Sequence, residues 1–296
     1  PGELEKVAQA LPPRRVFLAV YAGIDEAGFG PLLGPLVVSG TAFRVPDERI
    51  HGCLWEALRE TCTREPKRGA SRLTIADSKK VYHSAAGFAG LERAALVMLA
   101  VSGEQPRTWR SLIETVAPHA AAMLQRLAWY ANADVTLPVD EGVGNVHTRA
   151  NAIRLDAKEQ DVAFLGAFVE PVLEDDYNRL VERTENKAVA LQGIVMRVID
   201  RILRATDDAR VRLCVDRLGG RTHYREALHT SFPEFEIEIV EESAERSAYR
   251  LASSARVVRV EFAAGGEDRH LPIALASIFS KYVRELYMRA FNQYWC

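Results

Sequence analysis

The spacing of apolar positions along the chain predicts a mixture of strands and helices. Apolar, partly β-branched runs at Val16–Val20 and Gly34–Phe43 flank a Gly-Phe-Gly-Pro turn, which predicts two strands joined as a hairpin. Apolar residues recur at helical spacing through Asn186–Arg204, which predicts the clearest helix of the chain. Val211–Val215 predicts a short buried strand that ends at Asp216.

Further elements follow from the same patterns. Two more strands are predicted at Phe235–Val240 and Val257–Phe262, and further helices at Ala89–Ala100, Trp109–Tyr130 (with an interruption at Pro118) and Leu271–Phe291. Thr136–Ala152 is rich in turn residues and predicts a loop or a small hairpin. Strands and helices alternate only in part, so we predict an α/β fold with a mixed central sheet flanked by helices.

The composition excludes some classes of protein. The chain has 296 residues, of which 48% are hydrophobic and 26% charged, and this balance excludes wholesale disorder. A net charge of −2 predicts no general electrostatic affinity for nucleic acid. Of the 38 basic residues 31 are arginine, a bias that suits phosphate binding but that genomic base composition also produces.

Cysteine usage and hydropathy bear on the compartment. The four cysteines are scattered and form no CxxC motif, which favours a reducing compartment, and we expect the cytoplasm. The longest apolar run, Val16–Ile24, has nine residues, so no membrane span and no membrane partner are expected.

The glycine-rich segment Gly23–Pro35 follows a predicted strand, as a dinucleotide-binding fingerprint does. Its carboxylates, Asp25 and Glu26, stand where a pyrophosphate would approach, and like charges about 4 Å apart repel by about 4 kcal/mol at an effective dielectric constant of 20. The following residues, Leu36–Phe43, are strand-like, whereas the fingerprint requires the start of a helix. Dinucleotide binding is therefore excluded.

Two adjacent carboxylates at the end of a buried strand have another use. Asp25 and Glu26 cannot both stay ionised in a partly buried site without compensating positive charge, and Mg²⁺ or Mn²⁺ supplies that charge through oxygen ligands. The alternative is that one of the two side chains simply faces solvent, because neighbours on a strand point to opposite faces.

The string GIDEAGFGPLLGPLVV at residues 23–38 closely resembles the signature of the type 2 ribonuclease H family, which includes ribonucleases HII and HIII. Three further segments match family motifs in the same order. Asp77–Lys80 is similar to its D-S-K-K segment, Val215 and Asp216 to its V-D-G, and Ala274–Glu285 to its A-A-A-S-I-x-A-K-V-x-R-D helix.

This resemblance implies a single RNase H-like domain over residues 1–296, with insertions at about 102–160 and 217–264. It also implies a two-metal endonuclease that hydrolyses the RNA strand of RNA–DNA hybrids with Mg²⁺ or Mn²⁺, and we expect a monomer. Carried over by position, the catalytic and metal-binding carboxylates are Asp25, Glu26, Asp216 and Glu285. The corresponding nucleic-acid contacts are Gly28, Phe29, Gly30, Ser78, Lys79 and Lys281.

Several positions depart from the family pattern. Phe29 replaces the arginine of the family's G-R-G turn, and Arg217 follows Asp216 where the family has glycine. No counterpart of the junction-reading H-K-G-Y-x-T segment is found, so cleavage at single embedded ribonucleotides is not expected. Gly219-Gly220-Arg221 is either a phosphate-binding turn or a plain connection.

Two alternatives to this activity therefore stay open. The chain could be a nucleic-acid-binding protein on the same fold with narrowed or lost catalysis, which the changes at Phe29 and Arg217 motivate. It could also be an RNase H-like nuclease that acts on a different nucleic acid. Lys281, four residues before Glu285, suits either a phosphate contact or an ion pair with that glutamate.

Overall fold

A seven-stranded mixed sheet lies at the centre of the computed structural model, which describes residues 17–30, 33–65, 71–133, 135–140 and 143–296. In spatial order the strands are β5 (Ala163–Val172), β2 (Leu36–Pro46), β1 (Leu18–Ala27), β6 (Arg210–Asp216), β9 (Val257–Ala263), β8 (Arg246–Ala252) and β7 (Glu236–Glu242). A separate pair, β3 (Cys62–Thr63) and β4 (Leu73–Thr74), forms a small two-stranded sheet. The predicted mixed sheet is confirmed.

The strand directions decide where the functional residues lie. β1 and β2 form the predicted antiparallel hairpin, and β5 pairs antiparallel with β2. β1, β6 and β9 are parallel neighbours, with Ile24 opposite Val215. Parallel strands present their carboxyl ends at one edge of a sheet, so Asp25 and Asp216, each one residue further along, emerge side by side.

Ten α-helices lie in the described ranges. They are α1 (Leu54–Ala57), α2 (Ser78–Tyr82), α3 (Gly87–Val101), α4 (Trp109–Val116), α5 (Ala128–Ala131), α6 (Val146–Glu159), α7 (Glu174–Thr184), α8 (Lys187–Ala205), α9 (Arg225–Ser231) and α10 (Leu271–Trp295). Short 3₁₀ helices cover Asp47–Arg49, Pro118–Arg126 and Gly266–Asp268. None of the helices in these ranges has the length and apolarity needed to cross a bilayer.

Each face of the sheet carries its own hydrophobic core. Side chains alternate along β1, so Ala19 and Tyr21 pack on the face covered by α10, whereas Val20 and Ala22 pack on the face covered by α8. α10 approaches β1 very closely at Gly23, where an added Cβ would lie 2.2 Å from a backbone nitrogen of the helix. Glycine is therefore required at this crossing.

One sequence prediction was wrong in this part of the chain, and a second was right only about the interruption at Pro118. Residues 136–152 were expected to be a loop or hairpin, but α6 begins at Val146 because the Asn145 side chain accepts a hydrogen bond from Thr148 N and caps the helix. The long helix predicted at Trp109–Tyr130 is divided into α4, a 3₁₀ helix that starts at Pro118, and α5. Proline lacks the N–H that a continuous helix needs there.

Residues 102–160 and 217–264 were predicted as insertions. The first range contains α4, α5 and α6, which pack into the same core as α3 and α10. The second contains α9 and adds the β7–β8 hairpin to the edge of the sheet. Their status as insertions relative to the family, and the single domain over 1–296, stay predictions.

Candidate acidic site at the carboxyl edge of the sheet

Three of the predicted carboxylates meet where β1 and β6 end. Burial raises the pKa of Asp25 well above its usual range, and the neighbouring carboxylates of Glu26 and Asp216 raise it further. Burial and then the charge of Asp216 raise the pKa of Glu26 to about 7. Side chains that influence one another in this way share one partly buried site, where their ionised forms repel each other.

Hydrogen bonds fix the two strand-end aspartates. Asp25 Oδ1 accepts from Glu26 N at 2.8 Å, and the nearby Ser277 hydroxyl on α10 opposes the rise in the pKa of Asp25. Ser280 Oγ donates to the Asp25 carbonyl at 2.9 Å. Asp216 Oδ1 accepts from Gly266 N at 3.1 Å, although burial still raises the pKa of Asp216. The backbone and α10 therefore orient both carboxylates.

The start of α2 is hydrogen-bonded to α10. Ser277 Oγ lies 3.0 Å from Ser78 Oγ and accepts a hydrogen bond from Ser78 N, and Ser78 is only 6% exposed. Ser78, predicted as a nucleic-acid contact, is thus paired with α10 in the interior. Asp77 caps α2 by accepting from Lys79 N, and the charge of Lys79 opposes the rise in the pKa of Glu26. Lys79 is therefore a cation beside the acidic residues.

Glu285 and Lys281 lie further along α10. Lys281 Nζ lies 2.7 Å from Glu285 Oε1 and 5.0 Å from the centre of the Tyr82 ring, so the predicted i,i+4 ion pair is formed. Glu285 is eight residues beyond Ser277, or about 12 Å at the rise of an α-helix. The structure therefore places Glu285 in an ion pair with Lys281, five residues beyond Ser280, whose hydroxyl bonds the Asp25 carbonyl. The role of Glu285 as a metal ligand stays a prediction.

A carboxylate that sequence reasoning missed lies next to Asp216. Glu267 stands in the 3₁₀ helix after β9, and burial raises its pKa, as do the charges of Asp216 and Asp77. Within the described residues its Oε2 is buried without a hydrogen-bond partner. The available signal was its position shortly after a strand parallel to β6, because such strand ends meet at one edge.

The donors at this edge suit a hard divalent cation. Asp25, Glu26, Asp216 and Glu267 offer only carboxylate oxygens, the ligands that Mg²⁺ and Mn²⁺ prefer. In the part of the chain that the structure describes, no three His, Cys, Asp or Glu side chains are already arranged to hold one metal ion. The chemistry of the donors therefore fits such a cation, although the side chains do not form a preassembled cage.

The glycine turn after β1 packs against α10. Gly28 has φ +97°, and an added Cβ there would lie 2.6 Å from Arg284 Nε. Arg284 Nη2 donates to the Leu33 carbonyl at 2.8 Å and closes the turn against the helix. Phe29 packs against the core on the α8 side, whereas Gly30 is exposed with open space around it. Pro31 and Leu32 lie outside the described residues.

Comparisons with known proteins give a distant likeness to type 2 ribonucleases H. No protein-family model and no curated protein matches the chain. A similar solved structure is the RNase HII of Archaeoglobus fulgidus in a PCNA:RNase HII complex (15% identity, 93% of this chain, 78% of that chain, TM-score 0.39).

Two further solved structures are similar to the same extent. They are the ribonuclease H2 of Pyrococcus horikoshii OT3 (12% identity, 93% of this chain, 77% of that chain, TM-score 0.38) and the RNase H3 of Aquifex aeolicus (14% identity, 93% of this chain, TM-score 0.36). This chain spans 60% of the length of the Aquifex protein. At these values the relationship is remote, and function has to be argued from the residues of this chain.

Proposed function

We propose that the chain is a divalent-metal-dependent endonuclease of the ribonuclease H type that hydrolyses the RNA strand of RNA–DNA hybrids. The observation that carries this proposal is the meeting of Asp25, Glu26 and Asp216 at the ends of two parallel strands. Those three residues also belong to the segments that resemble the family motifs. Carboxylates so placed would repel a phosphate backbone unless a cation lay between them.

Asp25, Glu26 and Asp216 would hold Mg²⁺ or Mn²⁺. A bound divalent cation activates water at neutral pH and stabilises charge on the leaving oxygen. Ser277 orients the Asp25 carboxylate, and Gly266 N orients that of Asp216. Burial and mutual repulsion favour protonation of these groups, so binding of a cation must displace protons from them.

The fourth carboxylate of the site is Glu267 in this proposal. It is a neighbour of Asp216, and its buried Oε2 has no hydrogen-bond partner among the described residues. Glu285 is already paired with Lys281, and this ion pair would have to break before Glu285 could serve as a ligand. The resemblance implied Glu285, whereas the local contacts favour Glu267.

The RNA strand would pass over the exposed groups that border these carboxylates. Lys79 is the nearby cation at the start of α2, and the exposed Gly30 leaves room for a strand to approach closely. Phe29 and Ser78 contribute by packing, since both side chains contact the protein interior. Lys281 can meet a phosphate only at the expense of its ion pair with Glu285.

A binding protein without catalysis is the second candidate, because Phe29 supplies no charge where the family has arginine. A protein that only binds nucleic acid gains nothing from a cluster of carboxylates, which weaken phosphate binding. The cluster of Asp25, Glu26 and Asp216 therefore favours the hydrolase.

A cleavage assay with four substrates tests the proposal. A uniform RNA–DNA hybrid, a duplex with one embedded ribonucleotide, duplex DNA and single-stranded RNA are each incubated with Mn²⁺ or Mg²⁺. We expect cleavage of the uniform hybrid, and its loss in Asp25→Asn. Asp161→Asn is the matched control, because Asp161 is exposed just before β5 at the opposite edge of the sheet. No cleavage of any substrate by the wild type would favour the binding-only candidate.

A further inference from the structure

The loop that follows Asp216 contains an arginine whose charge has no partner. Arg217 is partly buried, and its Nε and Nη2 are inaccessible to solvent. Among the residues that the structure describes, neither nitrogen has a hydrogen-bond acceptor and the guanidinium forms no ion pair. Buried donors without acceptors are costly, so a group of this kind calls for a ligand that completes it.

Two more cations without partners lie around the same loop. Arg221 and the exposed Lys187 form no ion pair or side-chain hydrogen bond within the described ranges, whereas Arg204 at the far end of α8 is paired with Asp200 at 2.8 Å. A Cβ added to Gly219 would lie 4.0 Å from that of Ala188, so the loop lies against the first turn of α8. The positive end of that helix dipole adds to the same potential.

The position of this loop relates it to the acidic site. α8 precedes β6 in the chain through a short connection, so its first turn lies at the carboxyl edge of the sheet, where Asp216 ends β6. Gly219 adopts φ +58°, and Gly219 and Gly220 are both exposed, which leaves their backbone accessible. A strand whose scissile phosphate lay at the carboxylates would pass this loop with a neighbouring phosphate.

We propose that Arg217, Arg221 and Lys187 form a binding site for the backbone phosphates of the nucleic acid that enters the acidic site. This inference rests on the proposed function for the identity of the ligand. A guanidinium fork binds phosphate through two parallel hydrogen bonds, and Arg217, whose Nε and Nη2 lack acceptors among the described residues, would turn its side chain outward to present them. The site places positive charge on the α8 side of the carboxylates. Phe29 packs on that side and supplies no charge.

Binding of a uniform RNA–DNA hybrid by the full chain, in buffer with Ca²⁺ in place of Mg²⁺ or Mn²⁺ so that the carboxylates are neutralised without hydrolysis, tests this site. Fluorescence anisotropy at several salt concentrations gives the affinity and its salt dependence. Arg217→Gln is expected to weaken binding about tenfold at low salt and to reduce the slope of log K against log salt by about 1. Arg217→Lys should restore part of the affinity, and Arg221→Gln and Lys187→Gln should each lower the slope.

Arg204→Gln, on the same helix but at its other end, is the matched control and should leave affinity and slope unchanged. Thermal unfolding of each variant separates a loss of contact from a loss of fold.

Unchanged affinity and slope in Arg217→Gln, with a wild type that cleaves the hybrid, would overturn this site and leave the nuclease intact. Reduced binding in Arg217→Gln, with a wild type that never cleaves, would support the site and reject the nuclease. A wild type that does not bind would overturn both.

Discussion

The two flanks of the acidic site differ in how their polar groups are used. On the α10 flank, Ser277 bonds Ser78, Ser280 bonds the Asp25 carbonyl, and Lys281 pairs with Glu285. On the α8 flank, Arg217 and its neighbouring cations form no ion pairs among the described residues. Polar groups that satisfy one another make a rigid support, whereas charges without partners are available to a ligand.

This difference assigns distinct tasks to the two flanks. The α10 flank holds the carboxylates in place, so substitutions there should change the rate of hydrolysis and the stability of the fold. Substitutions on the α8 flank should change the affinity for nucleic acid and its salt dependence, with little effect on the stability of the fold. A substitution on one flank that produced the effect assigned to the other would break this division.

After the loss of cleavage in Asp25→Asn, the largest effect is expected at the fourth carboxylate. Glu267→Gln should lower the rate of hybrid cleavage about 100-fold, because it removes a charged oxygen beside Asp216. Glu285→Gln should lower the cleavage rate much less, because Glu285 is paired with Lys281. Single-turnover cleavage rates measure both, and the reverse order would return the role of fourth ligand to Glu285.

The next effect concerns the contact of α10 with the sheet. Gly23→Ala should destabilise the fold by about 2–3 kcal/mol, because the new methyl group would meet the backbone of α10. Gly193→Ala in α8, where nothing lies within 4 Å, should instead stabilise it by about 0.5–1 kcal/mol. Urea denaturation of the two variants compares them. Equal changes in stability for the two substitutions would contradict the close contact between α10 and β1 at Gly23.

Glu26 should make the metal-free protein less stable as the pH rises, against the opposite contribution of His270, whose pKa burial lowers to about 4. Glu26 has a pKa of about 7 in the fold and an ordinary value near 4.5 when unfolded, so the fold disfavours its ionised form. The full stability is present below the unfolded value and is lost as the pH rises from about 4.5 to about 7. The loss should be roughly 1–3 kcal/mol, and it should be smaller in Glu26→Gln. In urea denaturation with EDTA, the midpoint of the wild type relative to that of Glu26→Gln should fall as the pH rises across this range, and a constant difference would contradict this.

The smallest effect is expected at the serine that bridges α2 and α10. Ser277→Ala removes a hydroxyl that favours the ionised Asp25 carboxylate and should reduce the cleavage rate about fivefold to tenfold, which corresponds to about 1 kcal/mol. Ser280→Ala is the matched control, because Ser280 bonds only the Asp25 carbonyl. Equal losses in the two variants would show that support of the helix, and not orientation of the carboxylate, is what matters.

Sequence patterns predicted the part of the fold that carries strong periodicity. The helix at Asn186–Arg204 and the strand at Val211–Val215 correspond to α8 and β6. β5 was missed because its sequence contains glycine and Pro171, which are poor strand residues. Proline is tolerated there because β5 lies at the edge of the sheet.

The carboxylates of the site were predictable from the sequence where a buried strand ends in acidic residues. Asp25, Glu26 and Asp216 lie in the last residues of buried strands, and the parallel pairing of β1 and β6 brings them together. Glu267 was not predictable from local pattern alone, because its place depends on the pairing of β6 with β9. The cations around Arg217 that lack partners among the described residues were not predictable from the sequence either, because the absence of an acceptor depends on three-dimensional packing.

Titration of Mn²⁺ into the metal-free protein, followed by calorimetry, tests the central claim most directly. We predict that the wild type binds Mn²⁺ with release of protons, and that Asp25→Asn and Asp216→Asn each weaken binding about tenfold or more. Asp161→Asn should bind as the wild type does. A wild type that binds no Mn²⁺, or site variants that bind Mn²⁺ as tightly as the wild type does, would contradict the claim that these carboxylates form a metal centre.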